Sequence, residues 1–240
     1  MDFSSESVNF ATQSMTHLLL NTWLQQLKDA DTQLLLSINA HHSPFWDVFM
    51  SLYSSTFVWG VFYASILYVI VRNYSWKTTL MWLGVVILII VFCDQLSSHV
   101  IRPAVARLRP SNLDNPISDT IHIVDGYRGG NYSFPSAHAA NSWGLAAFVI
   151  ILFRKWWLSL ALVLWAILIC YSRMYLGLHY PGDLFTGMII GCCGALAFYY
   201  LLMWIAKIQK PKDLKHTFVP LIALVGSVFT FLAIAFYETV

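Results

Sequence analysis

From residue 45 to residue 237 the chain alternates apolar runs of about twenty residues with short polar breaks, the length needed to cross a bilayer core as helix. The runs are 45–71, 78–101, 137–153, 156–177, 183–206 and 217–237. The pattern predicts an all-α fold, a polytopic membrane helical bundle with six transmembrane helices. Residues 8–40 differ: Met15, Leu19, Trp23 and Leu27 recur every four residues, with Gln25, Gln26 and Lys28 on other faces. This is amphipathic helical spacing, too polar to span. It predicts one or two N-terminal helices that lie in the membrane interface or pack on the outside of the bundle. Between the second and third runs lies a long polar segment, 102–135, in which Pro103, Pro110, Pro116, Gly126, Gly129 and Gly130 argue against a continuous helix. No soluble domain interrupts the pattern, so residues 1–240 are expected to form a single membrane-embedded domain.

Composition agrees. Hydrophobic residues make up 58% and charged residues 11%, and mean hydropathy is +0.63. Such a chain cannot cover itself with polar surface in water. The net charge of +2 is too small and dispersed to suggest a nucleic acid partner. Cys93, Cys170, Cys192 and Cys193 sit inside apolar runs without metal-ligand spacing and read as packing thiols. Asp2 and Glu6, with no early Lys or Arg, argue against a cleavable signal peptide.

Charge orients the bundle. With six spans, loops one, three and five hold Arg72, Lys77, Arg154, Lys155, Lys207, Lys210, Lys212 and Lys215 against the single acid Asp213. The positive-inside rule makes these loops cytoplasmic. Loop two then faces outward, yet it carries Arg102, Arg107, Arg109 and Arg128. Arginines on the wrong side imply another task, such as holding an anion.

Three clusters meet on that outward face: Arg102-x6-Arg109-Pro110, Pro135-Ser136-Ala137-His138, and Ser172-Arg173-x5-His179-x3-Asp183. Cleaving a phosphate ester requires neutralising charge on the phosphoryl oxygens. Arg102, Arg109 and Arg173 offer planar guanidinium forks for this. Ser136 stands at a predicted N-cap, where the backbone N–H of Ala137 and its neighbours point at a docked anion. His179 lies four residues before Asp183 across a Pro-Gly turn, so the carboxylate can fix one ring nitrogen and leave the other as nucleophile. His138 is placed to protonate a leaving oxygen and then activate water. Asp94 and Ser98 share a helical face with Arg102 and are expected to steady it. Arg107 and Arg128 contact either substrate or, with more precedent, headgroups and the loop itself. His41, His42, His99 and His122 show no ligand spacing.

These motifs, covering 102–183, resemble the signatures of the type 2 phosphatidic acid phosphatase superfamily, Lys-x6-Arg-Pro, Pro-Ser-Gly-His and Ser-Arg-x5-His-x3-Asp. The multi-span frame is similar to its integral-membrane branch. The resemblance implies a bacterial lipid phosphatase in which His179 becomes a phosphohistidine, Asp183 orients it, His138 is general acid, and Arg102, Arg109, Ser136, Ala137 and Arg173 bind phosphate. It implies no metal and no other cofactor. Two positions depart from the pattern: Arg102 stands for Lys and Ala137 for Gly. The implied substrates are membrane lipids bearing a phosphate monoester or pyrophosphate: phosphatidic acid, phosphatidylglycerophosphate, undecaprenyl pyrophosphate or lipid A. The implied location is the bacterial inner membrane, with the site facing the periplasm or exterior. A phosphotransferase using the same intermediate, and a non-enzymatic anion transporter, are the competing readings. The transporter would need polar groups continuing through the apolar cores 80–92, 143–153 and 158–169, and they do not.

Overall fold

The computed structural model describes residues 3–208, 211 and 213–240. Asp2, Lys210, Lys212 and the Glu6 side chain, used above in the charge argument, lie outside that description. The fold is all-helical. Among the described residues the sole β pairing is an isolated bridge between Leu108 and Tyr132.

Helix α1 (Phe3–Asn39) is one continuous element where one or two were expected. Residues 18–30 of it stand exposed on every side, while Leu35 and Asn39 near its end are buried in the body. Helix α2 (Pro44–Ser54) and helix α3 (Gly60–Asn73, entered through a 3-10 turn at Phe57–Trp59) make up the first apolar run, bent by 69° at their break. Helix α4 (Trp76–Val105) is 30 residues long and widens to a π-helical stretch at Gln95–Ile101 before delivering Arg102. Helices α5 (Ala137–Phe153), α6 (Trp156–Tyr175), α7 (Pro181–Ala206) and α8 (Val219–Thr239) follow.

Each predicted run therefore appears as helix, but length does not establish six spans. α4, α6, α7 and α8 are long and apolar enough to cross, and α2 with α3 makes a fifth if the bent pair is one span. α5 has 17 residues, or about 26 Å of helix at 1.5 Å per residue, shorter than the ~30 Å hydrocarbon core. Its bounds are those of the predicted run 137–153, and its cap, Ser136, is buried among the polar clusters.

Small residues decide how the bundle closes. A Cβ on Gly187 would run into the Ser136 carbonyl, and one on Gly191 into the Ala140 carbonyl. Bare backbone on α7 thus lets α5 approach at the distance typical of small-residue helix pairs in membranes. The core between the helices is aromatic: Trp59 packs edge-on to Tyr53, Phe62, Trp165 and Phe231, and Trp82 stacks on Tyr199. By contrast Trp76, Trp156 and Trp204 are exposed at the ends of α4, α6 and α7 that point away from the polar clusters. Exposed tryptophans at helix ends suit a membrane–water boundary.

Candidate active site

The three clusters converge at one end of the bundle. The termini of four helices supply them: the C-terminal ends of α4 (Arg102) and α6 (Arg173), and the N-terminal ends of α5 (Ser136, Ala137, His138) and α7 (Asp183), with His179 in the preceding turn. Ser136 is fully buried. Its hydroxyl caps α5 by accepting the Ala139 N–H at 3.4 Å, and its own N–H donates to the Asp183 carbonyl at 3.0 Å. Asp183 in turn caps α7, its Oδ2 accepting the Tyr180 N–H at 2.9 Å behind Pro181. Two helix N-termini thus lie side by side, and the positive end of the α5 dipole, at Ala137 and His138, favours an anion.

Segment 106–135 closes over this end. Its base is a short antiparallel clip in which Arg109 N–H donates to Asn131 O at 3.0 Å and Ser133 N–H to Arg107 O at 2.8 Å. Ser111 and Arg128 bond reciprocally, each side chain to the other's carbonyl at 2.7 Å, so Arg128 is a loop residue. Gly129, at φ +70, passes so close to the Arg109 guanidinium that a Cβ would lie 3.1 Å from Nη1. His122 bonds Asp47 at 2.9 Å and stacks on His42, while the Asn39 amide donates to the His122 and Tyr175 carbonyls. These histidines tie the loop to α1 and α2.

The arginines carry the electrostatic argument. Arg109 and Arg173 are buried and Arg102 is half-buried. Arg102 donates to the Pro135 carbonyl at 3.1 Å, Arg109 to the Leu178 carbonyl at 3.2 Å, and Arg173 to the Ser54 hydroxyl at 2.6 Å. Among the described residues none of the three has a carboxylate within 4 Å, and the Nε of each is buried without a partner. A buried cation with an unmet donor is costly; three together require an anion. Asp94 bonds Ser98 at 3.4 Å and reaches Arg102 by its field alone, a weaker support than a direct pair. Burial first, then the Arg102 charge, lowers the pKa of Arg109 to about 10, which leaves it a cation at neutral pH.

His179 is 1% exposed. Its Nδ1 lies 3.5 Å from Asp183 Oδ2, and its Nε2 lies 3.3 Å from Arg109 Nη1. A guanidinium can only donate, so Nε2 carries the lone pair and the proton sits on Nδ1, towards the carboxylate. Burial, followed by the charges of Arg109, Arg173 and Arg102, holds the pKa well below the ordinary histidine value of 6.5. His179 therefore stays neutral, its Nε2 lone pair unprotonated and facing Arg109, at a pH near 6.5 where an exposed histidine would be half protonated. The expected consequence is that kcat/KM of His138→Asn on an aryl phosphate, which needs no general acid, stays flat from about pH 7.5 to 5.5 once corrected for ionisation of the substrate phosphate. A decline centred near the ordinary histidine value would show His179 titrating normally.

His138 borders two cavities. One, of about 540 Å³, is shared with Arg173, Ser54, Thr56 and Tyr127. The other, of about 430 Å³, descends between α3, α4, α5 and α6 with Tyr63, Ile70, Val86, Ile90, Leu145 and Ile169 in its wall. Its lining is almost wholly apolar. Ser54, Thr56 and His138 belong to both.

Every predicted site residue thus comes to one place. Sequence reasoning missed Ser54, which positions Arg173 from α2, and underrated Arg107, which pairs with Asp183 at 3.1 Å. Two arginines spaced by one residue look alike in sequence; only the clip at 107–109 turns them to different partners.

Comparison with known proteins follows the same lines. The PAP2 superfamily model matches residues 79–207. A lipid A 4'-phosphatase of Bacteroides thetaiotaomicron is 54% identical over 178 residues, 74% of this chain and 79% of that protein. A lipid A 4'-phosphatase of Porphyromonas gingivalis is 33% identical over 168 residues, 70% of this chain and 71% of that protein. The crystal structure of a transmembrane PAP2-type phosphatidylglycerolphosphate phosphatase from Bacillus subtilis superimposes with a TM-score of 0.59 at 17% identity, covering 83% of this chain and 98% of that one. That last likeness speaks for the fold. With its apolar helices, its matched motifs and relatives of this identity, the chain is an integral membrane protein that belongs to the PAP2 superfamily.

Proposed function

We propose that the chain is a lipid phosphatase that hydrolyses the 4'-phosphate of lipid A, or a closely similar lipid phosphate monoester, through a phosphohistidine on His179. The observation that carries this reading is the gathering at one end of the bundle of three guanidiniums with no carboxylate partner among the described residues, two buried and one half-buried, with Arg109 against the buried His179. The lipid is suggested by the two relatives named above.

In the proposed reaction Arg102, Arg109 and Arg173 take the phosphoryl oxygens, aided by the Ser136 hydroxyl and the backbone N–H of Ala137. His179 Nε2 attacks phosphorus; the P–O bond to the lipid breaks, and His138 gives its proton to the leaving oxygen. Asp183 holds the Nδ1 proton as the ring takes on charge. His138, now a base, removes a proton from water, which attacks the phosphohistidine and releases inorganic phosphate and neutral His179. The headgroup occupies the cavity beside Arg173, and the acyl chains follow the apolar cavity between α3, α4, α5 and α6 into the bilayer. The whole chain acts as one catalytic domain. The site faces the periplasm or exterior of a bacterial inner membrane, a reading supported by Arg72, Lys77, Arg154, Lys155 and Lys207 at the opposite helix ends.

The test is phosphate release by the purified protein on lipid A, undecaprenyl pyrophosphate, phosphatidylglycerophosphate and phosphatidic acid, with EDTA present. Lipid A is expected to give the highest kcat/KM, with product mass showing loss of phosphate and no phosphorylated acceptor. A strict metal requirement, or transfer to an alcohol in place of water, would overturn the mechanism as written.

A further inference from the structure

Asp183 is fully buried, and its two oxygens have different partners. Oδ2 accepts the Tyr180 N–H and faces His179. Oδ1 accepts Arg107 Nη1 at 3.1 Å. The same guanidinium lies 3.6 Å over the Tyr180 ring and reaches with Nη2 to Asp31 Oδ2 at 2.7 Å. Asp31, near the inner end of α1, closes the circuit: its Oδ1 accepts the Gly182 N–H at 2.7 Å, one residue before Asp183.

We propose that Asp31 and Arg107 are positioning residues for the phosphoryl transfer: together they hold Asp183, and through it the His179 ring, in the reactive orientation. This rests on the reading of His179 as nucleophile. Arg107 is not a fourth phosphate ligand, because two carboxylates already take its charge, whereas Arg102, Arg109 and Arg173 have none. The Asp183–His179 contact of 3.5 Å is long for a hydrogen bond. A carboxylate at that margin keeps its hold on the ring only if its other oxygen is fixed, and a fixed second partner of this kind commonly accounts for about 10- to 100-fold. α1 would thus belong to the catalytic frame, although its residues 18–30 stand clear of the bundle.

The experiment compares full-length detergent-purified wild type with Asp31→Asn, Arg107→Ala, Arg107→Lys and the Asp31→Asn/Arg107→Ala double variant, using lipid A as substrate and inorganic phosphate as competitive probe. Asn at 31 keeps an acceptor for the Gly182 N–H and puts an N–H donor where Oδ2 accepted Arg107, so it breaks the ion pair and preserves the local backbone. Expected are losses in kcat of about 10-fold for Asp31→Asn and about 100-fold for Arg107→Ala, partly restored in Arg107→Lys. KM and the phosphate inhibition constant should stay within about threefold, since the three-arginine cradle is untouched. Asp31→Asn should add nothing in the Arg107→Ala background, because the two act in series. If Arg107→Ala does not fold, Asp31→Asn and Arg107→Lys carry the comparison. Unchanged kcat in folded variants overturns the inference alone, as does a parallel loss of kcat and phosphate binding, which would make Arg107 part of the cradle. A wild type that releases no phosphate from any lipid overturns the functional reading with it.

Discussion

Replacing His179 with asparagine is expected to lower kcat by at least about 10⁴-fold, roughly 5.5 kcal/mol of transition-state stabilisation. Asparagine is close in size and polar, so the turn between α6 and α7 should survive. The loss therefore reports chemistry. In the proposed mechanism Nε2 is the atom that forms the bond to phosphorus, and among the described residues no other unprotonated nucleophile is held against Arg109. His138→Asn gives the contrast. It should cost about 10²- to 10⁴-fold on a lipid alkoxide leaving group, and much less on an aryl phosphate, whose leaving oxygen needs no proton. Because a phosphohistidine survives alkali and not acid, rapid alkaline-quenched turnover with a radiolabelled aryl phosphate would then trap label on the His138 variant and none on the His179 variant. Label on the His179 variant, or equal losses with both leaving groups, would reverse the two roles.

A second large effect is expected far from any reacting atom. A methyl on Gly191 would overlap the Ala140 carbonyl and come within 2.7 Å of Gly144 N; these are backbone atoms and cannot swing aside. Gly191→Ala should therefore force α5 and α7 apart and cost about 3 kcal/mol or more. That corresponds to a fall of about 6–12 °C in Tm in detergent. Gly187→Ala should act on activity as well, since the atom in the way is the carbonyl of Ser136, the cap that forms one wall of the site. Gly84 is the control. It is also helical, but nothing lies within 4 Å of where its Cβ would be, so Gly84→Ala should be neutral or stabilise by up to about 1 kcal/mol. Equal melting shifts for Gly84→Ala and Gly191→Ala would show that helix propensity, not close approach, governs these positions.

These two sets of residues were unequally visible. Arg102, Arg109, Ser136, Ala137, His138, Arg173, His179 and Asp183 could be picked out because their spacing places polar groups at the ends of apolar runs. Burying such groups is too costly to be incidental, so a linear pattern sufficed. Gly187 and Gly191 read as ordinary glycines in an apolar helix, since the atoms they avoid belong to a helix some fifty residues earlier.

The apolar runs and their polar ends, local properties of the chain, were enough to establish an all-helical membrane protein and to bring three motifs to one end of it. Long-range packing had to supply the rest. It bent the first run by 69° and joined the outer helix to the site through Asp31, Arg107 and Asp183. It also separated Arg107 from Arg109, one tied between two carboxylates and the other left with an unpartnered Nε beside His179. Hydrophobic periodicity is written residue by residue, because the bilayer acts on each segment alone. Which charge meets which depends on contacts between segments remote in sequence, and those exist only once the helices have packed.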